Sequence, residues 1–273
     1  MFNKLSDCIK YYQQYHLTKH KYQWRANNLA FFDTWDLQDL RKHHVKRYHK
    51  LRLLKVSSAT VNREISFARA AVNCVNSDYE LTLYNAFCNQ KFIEDDFIPN
   101  YLSHDDYKKL LDSAITLGYS DLHDYIVLLA MTGSRPHEVK NLAWENVYLD
   151  KRQFIVRNCW SKSKKTLYKY LNDTAMQVLK ARLETRAGEW VFTNTATNKP
   201  IDSYHKCFVK LRNHAGVKCT FYDLRHSYAS WLVQGAVPIY TVSGLLGHAD
   251  VSTTQRYAHL DYTTYCNALK VIG

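Results

Sequence analysis

The chain has 273 residues, 46% of them hydrophobic and 23% charged, a balance that fits one large or two modest globular domains and excludes a disordered chain. No apolar run approaches the roughly 20 residues that span a bilayer, and the opening MFNKLSDCIKYYQQYH lacks the apolar core of a secretory signal, so a cytoplasmic protein without membrane contact is expected. Lysine and arginine number 37 against 25 acidic residues, a formal net charge of +12, which points to a polyanionic partner.

In chain order, the first strong feature is a basic stretch. Arg41, Lys42, Lys46, Arg47, Lys50, Arg52 and Lys55 occur with no acidic residue among them. Val45, Tyr48, Leu51 and Leu54 recur at helical spacing in the same stretch, so it reads as a helix with one apolar edge and a basic remainder. Ser57-Ser58 then caps a helix expected over about 59–76. Its residues Val61, Ile65, Ala68, Val72 and Val75 draw one apolar stripe. Asn62, Ser66, Arg69 and Asn73 fall on another face, with Thr60 and Arg63 close by. Small polar residues and arginines on an exposed helix face suit groove and phosphate contacts. The first ninety or so residues therefore read as an all-helical module with one nucleic-acid-facing side.

A boundary follows at residues 93–100, where acidic Glu94-Asp95-Asp96 precedes Pro99 and no helical stripe continues. Ser103-His104-Asp105-Asp106 reads as a capping-box-like start for a helix carrying Tyr107, Leu110, Leu111 and Ala114. Three β-forming patches lie at Asn146–Tyr148, Phe154–Val156 and Thr166–Leu171, separated by turn-prone residues. Helices are expected at about 173–186, 203–215, 223–234, 238–246 and 252–259. The fold class is thus mainly α with a small antiparallel β-sheet. The seven cysteines form no C-x-x-C pair, so they read as buried reduced thiols.

Four segments carry the chemistry. Thr132-Gly133-Ser134-Arg135-Pro136-His137-Glu138 places Arg135 at a helix N-terminus, with Pro136 suited to the first helical position. Trp160-Ser161-Lys162-Ser163-Lys164-Lys165-Thr166 is a basic loop between two strands. Phe221–Ser230 reads FYDLRHSYAS, and Leu245–His259 reads LLGHADVSTTQRYAH. In this order they resemble the tyrosine recombinase (phage integrase) family, whose pattern includes T-G-x-R-x-x-E, a hairpin lysine, H-x-x-R-H-[ST]-x-A-[ST], L-G-H and T-x-x-Y-x-H. Tyr257 lies nine residues after His248, similar to the family's spacing, and Ser58–Arg63 resembles its core-binding domain.

The resemblance implies a SAM-like helical core-type DNA-binding domain over residues 1–92, a linker at 93–100 and a catalytic domain over 101–273. It implies cleavage and rejoining of double-stranded DNA through a 3′-phosphotyrosyl intermediate, without metal, ATP or another cofactor. Tyr257 would be the nucleophile, Arg135 and Arg225 the phosphate clamp, His248 a hydrogen-bond donor and Glu138 a supporting residue. Lys162 would protonate the departing 5′-oxygen, with Lys164 and Lys165 as rivals. Tyr222 stands where the family usually has histidine, and a tyrosine is a poor general base at neutral pH. Arg41, Lys42, Lys46, Arg47, Lys50, Thr60, Asn62, Arg63 and Arg69 would contact DNA. Tyr262 and Tyr265 lack the T-x-x-Y-x-H context. His137, His226, His248 and His259 lack the cysteine or carboxylate spacing of a zinc site, so no metal is expected. A homotetramer on two DNA sites is implied, with accessory directionality proteins as further partners, and association with the nucleoid. The chain opens directly on the core-binding module, so a compact mobile-element or prophage integrase is expected. A dimer resolvase and a catalytically weak DNA-binding relative remain alternatives, and a type IB topoisomerase shares the chemistry but not the helical module.

Overall fold

The computed structural model describes residues 2–16, 22–95, 98–157 and 166–270. It is mainly helical with small antiparallel sheets, and the chain divides into two compact units on either side of residue 96. Among the described residues, no helix is long and apolar enough to cross a membrane.

In the first unit, α1 (Leu5–Tyr15), α2 (Gln23–Leu29) and α3 (Lys42–Leu53) pack on the long α4 (Ser58–Asp78). The stripe Val61, Ile65, Ala68, Val72 and Val75 is buried along its whole length. Burial of each Val or Ile in it contributes roughly 1.5–3 kcal/mol as an upper figure. Leu5, Cys8 and Ile9 of α1, with Phe32, Leu37, Val45 and Tyr48, complete this core. A carboxylate sits inside it. Glu64 accepts hydrogen bonds from Tyr48 Oη (2.7 Å), Asn28 Nδ2 (2.8 Å) and the Arg52 guanidinium (2.7 and 3.1 Å). Arg52, one of the basic stretch, is therefore spent inside the unit on a buried charge that would be costly alone. The apolar edge of α3 is also shorter than its spacing predicts: Val45 and Tyr48 are buried, whereas Leu51 and Leu54 are exposed. At the far end of α4, Tyr11, His16 and Cys74 all converge on Asp78 Oδ2.

In the second unit, Ser103 accepts from the Asp106 amide (3.1 Å) and starts α5 (His104–Thr116) at the expected residue. Next comes α6 (Ser120–Thr132), whose Leu122, Tyr125, Ile126, Leu128 and Leu129 are all buried; it is a central core helix. It stops at Gly133, which takes φ +59° and faces the Tyr228 ring where a Cβ would have to go. The short α7 (Pro136–Lys140) follows. Strands β1 (Val147–Tyr148), β2 (Gln153–Val156) and β3 (Leu167–Tyr170) form an antiparallel sheet in that order, with Phe154 opposite Lys169. After α8 (Asp173–Glu184) come β4 (Thr193–Asn194) and β5 (Lys199–Pro200), a small ladder the sequence did not predict. Then come α9 (His205–His214), α10 (Phe221–Gln234), α11 (Ile239–Leu246) and α12 (Tyr262–Leu269). The helix expected at 252–259 is instead two 3₁₀ turns, Val251–Thr253 and Gln255–Leu260. The first is nucleated by Asp250, whose carboxylate accepts the Ser252 amide (2.9 Å).

Candidate active site

Four separate stretches of the second unit supply one polar cluster. Arg135 is the N-cap of α7, with Pro136 at its first position. Its backbone N–H and its Nη1 each donate to Glu138 at 2.8 Å, so the carboxylate fixes both the turn and the guanidinium. Glu138 is buried. Burial alone would raise its pKa, but Lys169 and the Arg135 contacts outweigh it and hold the carboxyl below its usual value.

Arg225 sits on α10, which Thr220 and Asp223 open with a reciprocal capping box. It is only 5% exposed and donates to the carbonyls of Gly133 (2.5 Å) and Leu246 (3.0 Å). Those two carbonyls belong to the C-terminal ends of α6 and α11, where a cation is favoured. Burial, then repulsion from Arg135, brings the Arg225 pKa down to about 10, with Glu138 opposing. The group stays cationic at neutral pH.

His248 follows Gly247, which ends α11 at φ +68°. Its Nδ1 lies 2.6 Å from Thr254 Oγ1. Burial, then Arg225 and Arg135, push its pKa down to about 3, so the ring is neutral across the physiological range. In the tautomer in which Thr254 donates to Nδ1, the proton resides on Nε2, which is then a donor; in the other, Nδ1–H donates to Thr254. Tyr257 lies in the second 3₁₀ turn and is 2% exposed. Its ring belongs to an apolar cluster with Ala229, Val233, Val242 and Leu246. Its hydroxyl is 2.5 Å from His226 Nδ1. Burial raises its pKa, while Arg225 and Arg256 pull the other way.

Arg135, Glu138, Arg225, His248 and Tyr257 are thus brought together. Tyr222 stands at the start of α10, 52% exposed but within electrostatic reach of Arg225. Lys162, Lys164 and Lys165 lie outside the described residues. Two residues to which the sequence assigned no catalytic role join the cluster. His226 touches Tyr257, as above. Lys169 of β3 is 1% exposed and donates to the carbonyls of Leu245 (2.9 Å) and Leu246 (3.1 Å). Burial, then Arg225, brings its pKa down to about 7 against the pull of Glu138. Its signal was present in the strand alternation: a lysine at the same register face as the buried Phe154.

In the first unit, Arg41, Lys42, Lys46, Arg47 and Lys50 are exposed along α3 and its N-cap. Arg41 also donates to the Gln38 and Leu40 carbonyls and lies over the Tyr84 ring. Arg63 and Arg69 are exposed, and with Arg25, Lys91 and Glu94 they line a concavity of about 480 Å³. Thr60 is half-buried beside Ser57. Asn62 departs from the expected exposed face. It is 7% exposed, its amide donates to the Phe92 carbonyl (2.8 Å) and its Oδ1 accepts the Phe92 amide (2.9 Å). A side chain so committed pins the 92–94 segment to α4 and is not available to a base edge.

Residues 100–264 match the family model described as the phage integrase family. The chain is 30% identical over 173 residues to the integrase of Salmonella phage P22, covering 59% of this chain and 43% of that protein. It is 32% identical over 176 residues to the tyrosine recombinase XerC of Caldanaerobacter subterraneus subsp. tengcongensis, covering 60% and 48%. The chain therefore spans about half the length of the curated relatives it matches. Among solved structures, the Tn1549 transposon integrase in complex with a circular intermediate DNA shares the fold at TM-score 0.79 and 16% identity, over 99% of this chain and 100% of that one. A lambda integrase dimer bound to a COC′ core site does so at TM-score 0.76 and 17% identity, over 93% and 77%.

Proposed function

The chain belongs to the phage integrase family, and from that premise we propose that it is a site-specific DNA recombinase that cuts and rejoins strands through Tyr257. The observation that carries this reading is the convergence of Arg135, Arg225 and His248 on one electrostatic neighbourhood beside the buried Tyr257 hydroxyl. A phosphodiester placed there would meet two guanidinium groups whose planar donor forks match phosphate oxygens. Glu138 and the Gly133 and Leu246 carbonyls hold those forks in place before the substrate arrives. Donors fixed in advance act most strongly as charge builds on the pentacoordinate phosphorus. His248 with its proton on Nε2 adds a neutral donor. Lys162 is the proposed proton donor to the departing 5′-oxygen.

The attack of Tyr257 forms a 3′-phosphotyrosyl bond and frees a 5′-hydroxyl. The bond energy is retained in the ester, so a 5′-hydroxyl from another strand reseals the backbone without ATP. Double-stranded DNA is the proposed substrate. The exposed cations of α3, with Arg63 and Arg69, are its proposed contacts in the first unit, and a homotetramer across two sites is the proposed working assembly. The mobile-element setting, integration or excision, is part of this proposal.

The test uses nicked duplexes carrying the DNA that flanks the protein's own gene, which trap the cleaved state because the released fragment diffuses away. The wild-type protein is expected to form a denaturant-stable protein–DNA adduct, and Tyr257→Phe none. Tight binding with no adduct would instead make the chain a DNA-binding relative without cleavage activity.

A further inference from the structure

Tyr257 needs a proton acceptor to attack as a phenolate, because a phenol with an ordinary pKa of about 10 is a weak nucleophile at neutral pH. Tyr257 is only 2% exposed, which keeps bulk water from that task. Tyr222, at the position of the motif where a base would be looked for, is a phenol too. One helical turn further along α10, His226 presents Nδ1 to the Tyr257 hydroxyl at 2.5 Å, with the ring planes inclined at 46°. We propose that His226 is the general base of strand cleavage in this protein, taking the phenolic proton of Tyr257 as its oxygen attacks phosphorus. The inference rests on the reading of Tyr257 as nucleophile.

Three features of the surroundings support it. Arg225 precedes His226 on α10 and is fastened to Gly133 and Leu246, so the backbone that carries the imidazole is held by the same contacts that hold the phosphate clamp. The second 3₁₀ turn, carrying Tyr257, packs directly on α10. Asp223 and Arg225 of α10 and Arg256 of the 3₁₀ turn are among the charged groups that act on the ring; burial, opposed by Asp223 and assisted by Arg256 and Arg225, lowers the pKa of His226. In the neutral ring with its proton on Nε2, Nδ1 accepts from the Tyr257 hydroxyl.

The step balances. The Tyr257 Oη–P bond forms and the P–O5′ bond breaks. The phenolic proton moves to His226 Nδ1, and the departing 5′-oxygen takes a proton from the proposed lysine acid. In rejoining, the imidazolium returns its proton to the leaving phenolate, and the lysine takes one from the attacking 5′-hydroxyl.

The test compares wild type with His226→Asn on the nicked duplexes. Asparagine can offer its amide oxygen close to where Nδ1 stood, so it keeps an acceptor for the tyrosine but not a base. The variant is expected to lose at least on the order of a hundredfold in adduct formation, with melting temperature and DNA affinity close to wild type. The wild-type rate is expected to rise tenfold per pH unit on the acid side and then level off, and the variant is expected to lack that limb. A duplex with a 5′-bridging sulfur, a leaving group that needs no proton, is expected not to restore the variant. Cleavage by His226→Asn at or above the wild-type rate would overturn the inference and make the contact a latch on Tyr257. Full recovery on the sulfur duplex would overturn it by moving His226 to the leaving-group side. A wild-type protein that forms no adduct would overturn the nucleophile reading, and this one with it.

Discussion

Replacing Glu138 by glutamine tests whether the carboxylate is the counter-charge of the cluster. Glu138 is 2% exposed, accepts from Arg135 N and Nη1 at 2.8 Å each, and lies in the field of Lys169 and Arg225. Glutamine retains one acceptor oxygen but turns an NH₂ toward a guanidinium and leaves buried cations uncompensated. Breaking a buried pair on one side costs about 3–5 kcal/mol. At roughly 2–4 °C per kcal/mol for domains of 150–250 residues, the melting midpoint falls by roughly 6–20 °C.

The loss has a pH signature. Glu138 is ionised in both folded and unfolded chains from pH 6 to 8.5, because its folded pKa is lowered from an already acidic value, so its own titration adds no slope there. Lys169 does: its folded pKa of about 7 lies below the unfolded value, so the unfolded chain binds the extra proton and stability rises with pH above 7. Removing Glu138 depresses the Lys169 pKa further. At pH 6 the further depression costs up to about 1.4 kcal/mol in all, because the amine is then neutral there too, and at pH 8.5, where it is already neutral, almost nothing. Calorimetry of the full chain at both pH values reads this directly. A midpoint within about 2 °C of wild type, or an equal loss at the two pH values, would refute the reasoning.

Asn62→Ala is expected to destabilise the first unit by about 1–3 kcal/mol, through the unpaired Phe92 amide and carbonyl, while folded protein keeps its DNA affinity; lost affinity at unchanged stability would put Asn62 back on the DNA. Gly133→Ala is expected to lower both melting temperature and adduct yield, since the left-handed backbone costs roughly 1–2 kcal/mol and the added Cβ meets Tyr228 beside the carbonyl that anchors Arg225. An unchanged melting temperature would contradict it. Arg63→Ala and Arg69→Ala are each expected to reduce the salt slope of DNA binding by about one, and an unaltered slope would remove them from the interface.

Much of this was legible in residue patterns because periodic burial is a local signal. The α4 stripe and the Ser103 cap both depend on neighbours within a few positions, and the structure places both at the expected residues. Three of the short motifs, around Arg135, Arg225 and His248, are local in the same way: each holds a cap or turn that its own residues specify. What was not legible depends on distant partners. Asn62 reads as a polar residue on an exposed face until residues 92–94 return to cover it. Leu51 and Leu54 continue a helical spacing, yet no element arrives to bury them. The 252–259 stretch has helical composition, but the Asp250 cap and the Thr254–His248 contact draw the chain into 3₁₀ turns that carry Tyr257 inward. The strand register puts Lys169 on the Phe154 face, but the Leu245 and Leu246 carbonyls it meets come from the distant end of α11.

The most direct measurement is the identity of the residue that carries DNA. The adduct would be digested with nuclease and protease, and the peptide bearing a nucleotide remnant sequenced by mass spectrometry. A 3′-linked nucleotide is expected on Tyr257 alone. A remnant on Tyr222, Tyr262 or Tyr265 would contradict the assignment of the nucleophile and the site built around it.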